Sequence, residues 1–286
     1  MKPYTEITEE YLNGLNMPSI KTNKKIQYIN LECAFDIETT STTYNGQKTA
    51  FAYIWMIGFG YGNDVFYGRT WKQFVATCKL IQRSLGLHEE RRLVVYVHNL
   101  GYEFQFMRKY FDWNTVFAID ERKPIKALCS LGIEFRDSYI LSGYSLANTA
   151  KNLSKHNVKK LVGDLDYSLV RTSDTPLTEV EMGYCRNDID VVLAYINEQI
   201  EQYGDINKVP LTNTGRVRSY VKHNCYYDDK NHRKSSKGKY VRYKRIMEDL
   251  TLTPNMYLQL KTSFMGGFTH SNPNHTGMVH KNVASI

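Results

Sequence analysis

The run Leu31–Thr40, L-E-C-A-F-D-I-E-T-T, constrains the fold more than any other stretch of the chain. It reads as an apolar strand, and side chains two apart on a strand share a face. Asp36 and Glu38 therefore project together. Carboxylates held that close repel one another, and a hard divalent cation relieves the repulsion. A strand running out into solvent also ends in polar residues, so D-x-E alone leaves both readings open. What favours a metal is the company these two residues keep further along the chain.

The chain has 286 residues, enough for one large domain or two modest ones. No apolar run is long enough to span a bilayer, and M-K-P-Y-T-E-I-T-E-E lacks the layout of a secretory signal. A cytoplasmic protein with no membrane partner is expected. The five cysteines, Cys33, Cys78, Cys129, Cys185 and Cys225, are scattered without a C-x-x-C pair, which excludes a zinc knuckle or dithiol motif. Four lie in apolar segments and read as small core hydrophobes. Six histidines (His98, His223, His232, His270, His275 and His280) lack ligand spacing and read as surface residues.

A net charge of +8 suits a polyanionic partner. Positive charge concentrates between Lys222 and Arg245, interleaved with Tyr226, Tyr227, Tyr240 and Tyr243. Such a block tracks phosphates and stacks on unpaired bases, or it is a solvated basic loop edged by tyrosines.

Element signals place the acidic residues. Phe51–Gly60 and Asp64–Gly68 read as strands joined at Tyr61-Gly62-Asn63, giving an antiparallel meander with the D-x-E strand. Trp71–Leu85 has helical apolar spacing. Leu93–Val97 looks like a buried parallel strand that ends in H-N-L-G-Y-E-F, with a helix from Phe104 to Tyr110. Its polar end falls at the carboxyl edge of the sheet, where open α/β sheets place their sites. Strands follow at Val116–Ile119, Ile125–Cys129 and Ile133–Asp137, then a short helix at Tyr144–Leu153. Leu177–Ile200 is a long helix with Thr178 and Glu181 at capping-box spacing, and Tyr184 and Asp188 share one of its faces. Leu211–Arg216 opens a further helix or turn, and Thr253-Pro254 starts another.

Asp36, Glu38, Glu103 and Asp188 thus come from three separated elements. Four carboxylates so placed suit two divalent cations roughly 4 Å apart, the arrangement that clamps attacking and leaving oxygens in phosphoryl transfer. Tyr184, one turn from Asp188, is placed to orient a water. Neither H-E-x-x-H nor a P-loop argues for another chemistry.

D-I-E-T at 36–39, N-L-G-Y-E at 99–103 and Y-C-R-N-D at 184–188 resemble, in order and spacing, the three proofreading exonuclease motifs of family B DNA polymerases. The likeness is greatest to the protein-primed polymerases of bacteriophages and linear plasmids. G-D-L-D-Y at 163–167 is similar to a run before that subgroup's third motif, and F-M-G-G-F at 264–268 resembles its Y-x-G-G segment. The resemblance implies an α/β, RNase H-like exonuclease fold, a mixed sheet flanked by helices, with a C-terminal extension that begins the polymerase palm. It further implies Mg²⁺ or Mn²⁺, two ions, held by Asp36, Glu38, Glu103 and Asp188. Asn99, Tyr102 and Phe104 would hold a frayed 3′ end, with Ser138-Tyr139 or Ser145-Leu146 as partial candidates for the Ser-Leu motif that grips the single strand. Phe264, Gly266 and Gly267 would touch primer or template, and a terminal priming protein is an implied partner. Asn99 fits equally as a cap of the following helix.

The sequence departs from the family's pattern at several places. The second motif ends in Glu103 rather than aspartate, a stem one methylene longer. Where the subgroup has lysine before its glycine stands Val162, with Lys159 or Lys160 as substitutes. No D-T-D or K-x-x-x-N-S-x-Y-G motif appears, so a polymerase active site is absent. The expected organisation is an N-terminal arm over 1–26, an exonuclease domain over 27–205, and a basic linker with the start of a polymerase domain over 206–286. Two alternatives stand beside it: a freestanding nuclease of the same DEDD type, and a non-catalytic module that binds single-stranded DNA or a priming protein.

Overall fold

The computed structural model describes residues 1–22, 25–44, 46–161, 166, 169–226 and 237–263. The chain divides into two units, Met1–Ser219 and Tyr220–Ile286. The first opens with β1 (Lys2–Pro3), α1 (Glu9–Gly14), β2 (Ser19–Lys21) and β3 (Gln27–Ile29). The meander follows as β4 (Cys33–Tyr44), β5 (Gln47–Phe59) and β6 (Val65–Gly68), then α2 (Trp71–Leu85), β7 (Arg91–Val97) and α3 (Leu100–Met107). Next come β8 (Trp113–Asp120), β9 (Lys123–Cys129), β10 (Ile133–Asp137), α4 (Ser138–Ser142), α5 (Leu146–Lys151) and α6 (Glu179–Tyr203). Helix α7 (Asn213–Tyr226) begins in this unit; α8 (Lys237–Asp249) and α9 (Pro254–Ser263) belong to the second. Among the described residues no helix is long and apolar enough to cross a membrane.

The sheet is mixed, in the order β1-β6-β5-β4-β7-β10-β9-β8. Strands β4, β5 and β6 are antiparallel, β7 runs parallel to β4 and β10, and β10, β9 and β8 are antiparallel again. The period of two along β4 builds both faces. Cys33, Phe35 and Ile37 join the core under α2, where Phe74, Cys78 and Ile81 meet them. Ala34 faces the other way, into a core shared with Ile189, Val192, Leu193 and Ile196 of α6. Asp36 and Glu38 continue that second face. Helix α6 lies close on the sheet because β5 carries Gly58 beneath it: a Cβ there would fall 2.8 Å from side-chain atoms of both Ile189 and Leu193.

Residues 1–22 are not a separate arm. Thr8 caps α1, accepting from Tyr11 N–H at 3.0 Å, and Ile7 and Leu12 are buried in the core while β1 pairs along β6. The compact unit also runs beyond residue 205. Ile206 and Val209 are buried, and the Ile206 N–H donates to Asn30 Oδ1 at 2.8 Å, so the chain stays attached to the sheet up to the break at Pro210. Helix α3 begins at Leu100 rather than Phe104, because Asn99 takes a left-handed conformation (φ 80°) and lets a helix start directly off β7. That shift moves Glu103 from a loop into the helix's first turn.

Candidate active site

Three carboxylates converge where β4 passes under α6. Asp36, Glu38 and Asp188 each offer one oxygen, and these lie within 4.8 Å of one another. Strand alternation supplies the first two. The third comes from the face of α6 that buries Cys185 and Ile189 on the sheet. A register shift between Glu38 and Thr39 interrupts the pairing with β5, which resumes at Thr39 opposite Ala52, the kind of irregularity that re-aims side chains beside a site.

Their ionisation is perturbed together. Burial raises Asp36 well above the carboxylate range, and the neighbouring Glu103, Glu38 and Asp188 charges add to it. Burial and then Asp188 lift Glu38 to about 7, against the pull of Lys160 and Arg171. Asp188 is also raised by burial, with Lys160 opposing. Glu103, buried in the first turn of α3, is pushed well above its usual value by burial, Asp137 and Glu38. Its Oε2 has no hydrogen-bond partner among the described residues. A cluster of mutually repelling carboxylates with one buried oxygen left unpartnered is the donor set a hard divalent cation requires, and the residues fit such an ion.

Three neighbours were not chosen from the sequence or only half chosen. Of the two lysines that could replace the one absent at Val162, Lys160 is the one brought to the site: its ammonium pairs with Asp188 and lies 3.6 Å from the centroid of the Tyr184 ring. Asp137 caps α4, accepting from Ile140 N–H at 2.8 Å; burial lifts its carboxyl to about 6, against the pull of nearby backbone N–H groups that include Leu100 and Asn99. Arg171 is buried, bonds Glu181 Oε1 through Nε at 2.9 Å and acts electrostatically on Glu38. Asp137 carried a weak signal, an acidic residue ahead of a helix; Arg171 sits in a polar loop and carried none.

The residues expected to hold DNA divide. Asn99 is exposed at the start of α3 and makes no side-chain cap. Tyr102 is 43% exposed, its hydroxyl 2.6 Å from Thr39 Oγ1, the residue after Glu38, so it stands at the site's edge. Phe104 does not: it packs against the core with its ring 4.9 Å from Trp113. On a helix starting at Leu100 it is Phe106 that shares the face of Tyr102, the two rings 5.1 Å apart. The expectation for Ser138 is also corrected, since it is fully buried with its hydroxyl 3.3 Å from Val97 O and 3.1 Å from His98 Nδ1. Nor is His98 a surface residue; burial lowers it to about 4. Cys33, Cys78, Cys129 and Cys185 are buried thiols, as their apolar segments implied. Phe264, Gly266 and Gly267, and much of the basic block, lie outside the described residues.

A mixed sheet covered by helices on both faces, with three carboxylates meeting between β4 and α6, is an RNase H-like layout. No family model matches the chain, and no curated protein does. Among solved structures it is similar to phi29 DNA polymerase. With that enzyme complexed with primer-template DNA as a post-translocation binary complex, the TM-score is 0.56 at 14% identity, covering 86% of this chain and 41% of that one. The ternary complex with incoming nucleotides gives 0.53 at 15% identity over 86% and 40%. The complex with single-stranded DNA gives 0.53 at 17% over 68% and 35%. The chain thus spans about two fifths of the polymerase it resembles, and the likeness is one of fold.

Proposed function

We propose that this chain carries the 3′–5′ exonuclease portion of a protein-primed family B DNA polymerase and removes nucleotides from unpaired DNA 3′ ends. The observation that carries the reading is the convergence of Asp36, Glu38 and Asp188 within 4.8 Å. The likeness to phi29 polymerase supports it at the level of fold.

In this reading Asp36, Glu38, Glu103 and Asp188 hold two Mg²⁺ or Mn²⁺ ions. When bound, such ions activate water and stabilise the leaving 3′ oxygen. The protein's own residues do the remaining work. Tyr184 orients the attacking water from the turn before Asp188, and Lys160 fixes both side chains. Tyr102, braced by Thr39, and Asn99 hold the frayed end. Phe264, Gly266 and Gly267 contact the strand on its way to a polymerase domain, and a priming protein is the further partner. The setting is the cytoplasm of a host cell.

Degradation of a 5′-labelled single-stranded oligodeoxynucleotide with Mg²⁺ tests this. Wild-type protein should give a 3′–5′ ladder that EDTA and Asp36→Ala both abolish. Binding without laddering would make the chain a non-catalytic single-strand binder, and preferential cleavage of RNA would make it a freestanding nuclease of another substrate class.

A further inference from the structure

A cavity of about 500 Å³ opens between α5 and residues 153–160. Ala150, Leu153 and Val158 form an apolar wall, and Lys151, Lys159 and Lys160 also line it. Lys151 and Lys159 are exposed and form no ion pair among the described residues. The third lysine reaches away to Asp188.

The cavity wall is anchored before any ligand arrives. Glu198 of α6 accepts the N–H groups of Ser154, Lys155 and His156 at 2.9, 2.6 and 3.0 Å. At the other end Asn187 accepts from Leu161 N–H at 2.7 Å and donates to Lys159 O at 2.9 Å. Both ends of the segment are therefore fixed to the helix that carries Asp188. Such a wall leaves two unpaired like charges, Lys151 and Lys159, beside one opening, and an anion relieves their repulsion. Lysine is a point-charge binder of phosphate, while the apolar wall suits a flat, uncharged group attached to it. The volume lies within the range of roughly 300–1,000 Å³ usual for small-molecule sites.

We propose that this cavity binds a nucleotide monophosphate, free or at the end of a strand, with its phosphate on the lysines and its base on the apolar wall. The choice of a nucleotide among phosphorylated ligands rests on the nuclease reading above. Because Lys160 belongs to both places, a phosphate in the cavity competes with Asp188 for its ammonium. Released product would then restrain the carboxylate site from behind.

The test is calorimetric titration with dAMP in EDTA, so that no divalent cation and no turnover contribute. Deoxyadenosine, inorganic phosphate and a 5′-phosphorylated tetranucleotide serve as comparison ligands. Wild-type protein should bind dAMP at least tenfold more tightly than deoxyadenosine or phosphate, and the Lys151→Ala/Lys159→Ala variant should lose at least tenfold. Tighter binding of the tetranucleotide would assign the cavity to a strand end, the other form of the same ligand. Asp36→Ala, which removes the proposed activity, should bind dAMP as wild type does, so failure of the nuclease reading and failure of the cavity separate. No dAMP binding at millimolar concentration, equal binding of phosphate, or full affinity in the double variant with its circular dichroism unchanged would each overturn the proposal.

Discussion

The ammonium of Lys160 lies 3.6 Å from the centroid of the Tyr184 ring while it pairs with the Asp188 carboxylate. One cation thus fixes two side chains a single helical turn apart. It comes from a segment far from them in sequence, anchored to the same helix by Asn187.

Lys160→Met is expected to lower the rate of the proposed exonuclease reaction about 10²-fold, the scale of losing one oriented electrostatic group in a water-poor site. Removing the cation leaves Asp188 more strongly raised, since Lys160 is what opposes its burial. The pH–rate profile should therefore shift to higher pH. A variant that unfolds, or one with unchanged rate and profile, would argue against a role at the site.

The carboxylate cluster makes metal-free stability fall with pH. A carboxyl raised in the fold binds more protons folded than unfolded, so stability is greatest below its ordinary value and declines up to the raised one. For Glu38 that window runs from 4.5 to about 7. A group moved that far is worth on the order of 3 kcal/mol as a ceiling, because its neighbours titrate with it. Melting in EDTA should show Tm dropping between pH 5 and pH 8, and saturating Mn²⁺ should restore it by binding the ionised form. The Asp36→Ala/Glu38→Ala variant should show a smaller drop, because Glu103 and Asp188 remain raised by burial, and no rescue by Mn²⁺.

Gly101 tests how the second motif is positioned. A Cβ there would fall 2.9 Å from the Arg122 carbonyl oxygen, a backbone atom of the β8–β9 turn. Gly101→Ala must therefore displace α3 from that turn, at a cost of about 1–3 kcal/mol for overpacking. Glu103 lies two residues on. Mn²⁺ affinity, measured by calorimetry, should fall along with stability, while Gly14→Ala, with open space around its Cβ, should alter neither.

Much of the scaffold could be read from the sequence because local signals agree with tertiary packing there. Helix α2 runs from Trp71 to Leu85 as its periodicity predicts, closed by the Thr70/Gln73 capping box and by Gly86 in the left-handed region. Helix α6 has its capping box at Thr178 and Glu181. The D-x-E strand follows from alternation alone. What misled was the direction of side chains on short elements. A left-handed Asn99 starts α3 four residues early, and that exchanges Phe104 for Phe106 on the site's side. Ser138 and His98 look exposed as polar residues at strand ends, yet they bond one another where α4 begins. Lys160 meets Asp188 across the fold, a relation that spacing in the sequence does not give.

Glu134 supplies a test that leaves the carboxylate cluster untouched. It is fully buried on β10, accepting from Arg92 Nη1 at 2.8 Å and paired with Arg136 Nη2 at 2.7 Å, with the Tyr28 hydroxyl at 3.4 Å. Burial pushes its carboxyl up, but Arg136, Lys126 and Arg92 outweigh that and hold it below the usual range. Its contribution is therefore present above 4.5 and is lost as pH falls through the lowered value. Glu134→Ala leaves the buried Arg136 guanidinium without its counter-charge and should cost about 3–5 kcal/mol in urea unfolding. An apolar pair of similar volume removes the burden instead of exposing it, so Glu134→Leu/Arg136→Met should recover most of that loss. The double variant should also lose less stability at acid pH than wild type does. If the single and double variants are equally destabilised, the network is holding β10 by its shape and hydrogen bonds to Ile206 O, and not by charge.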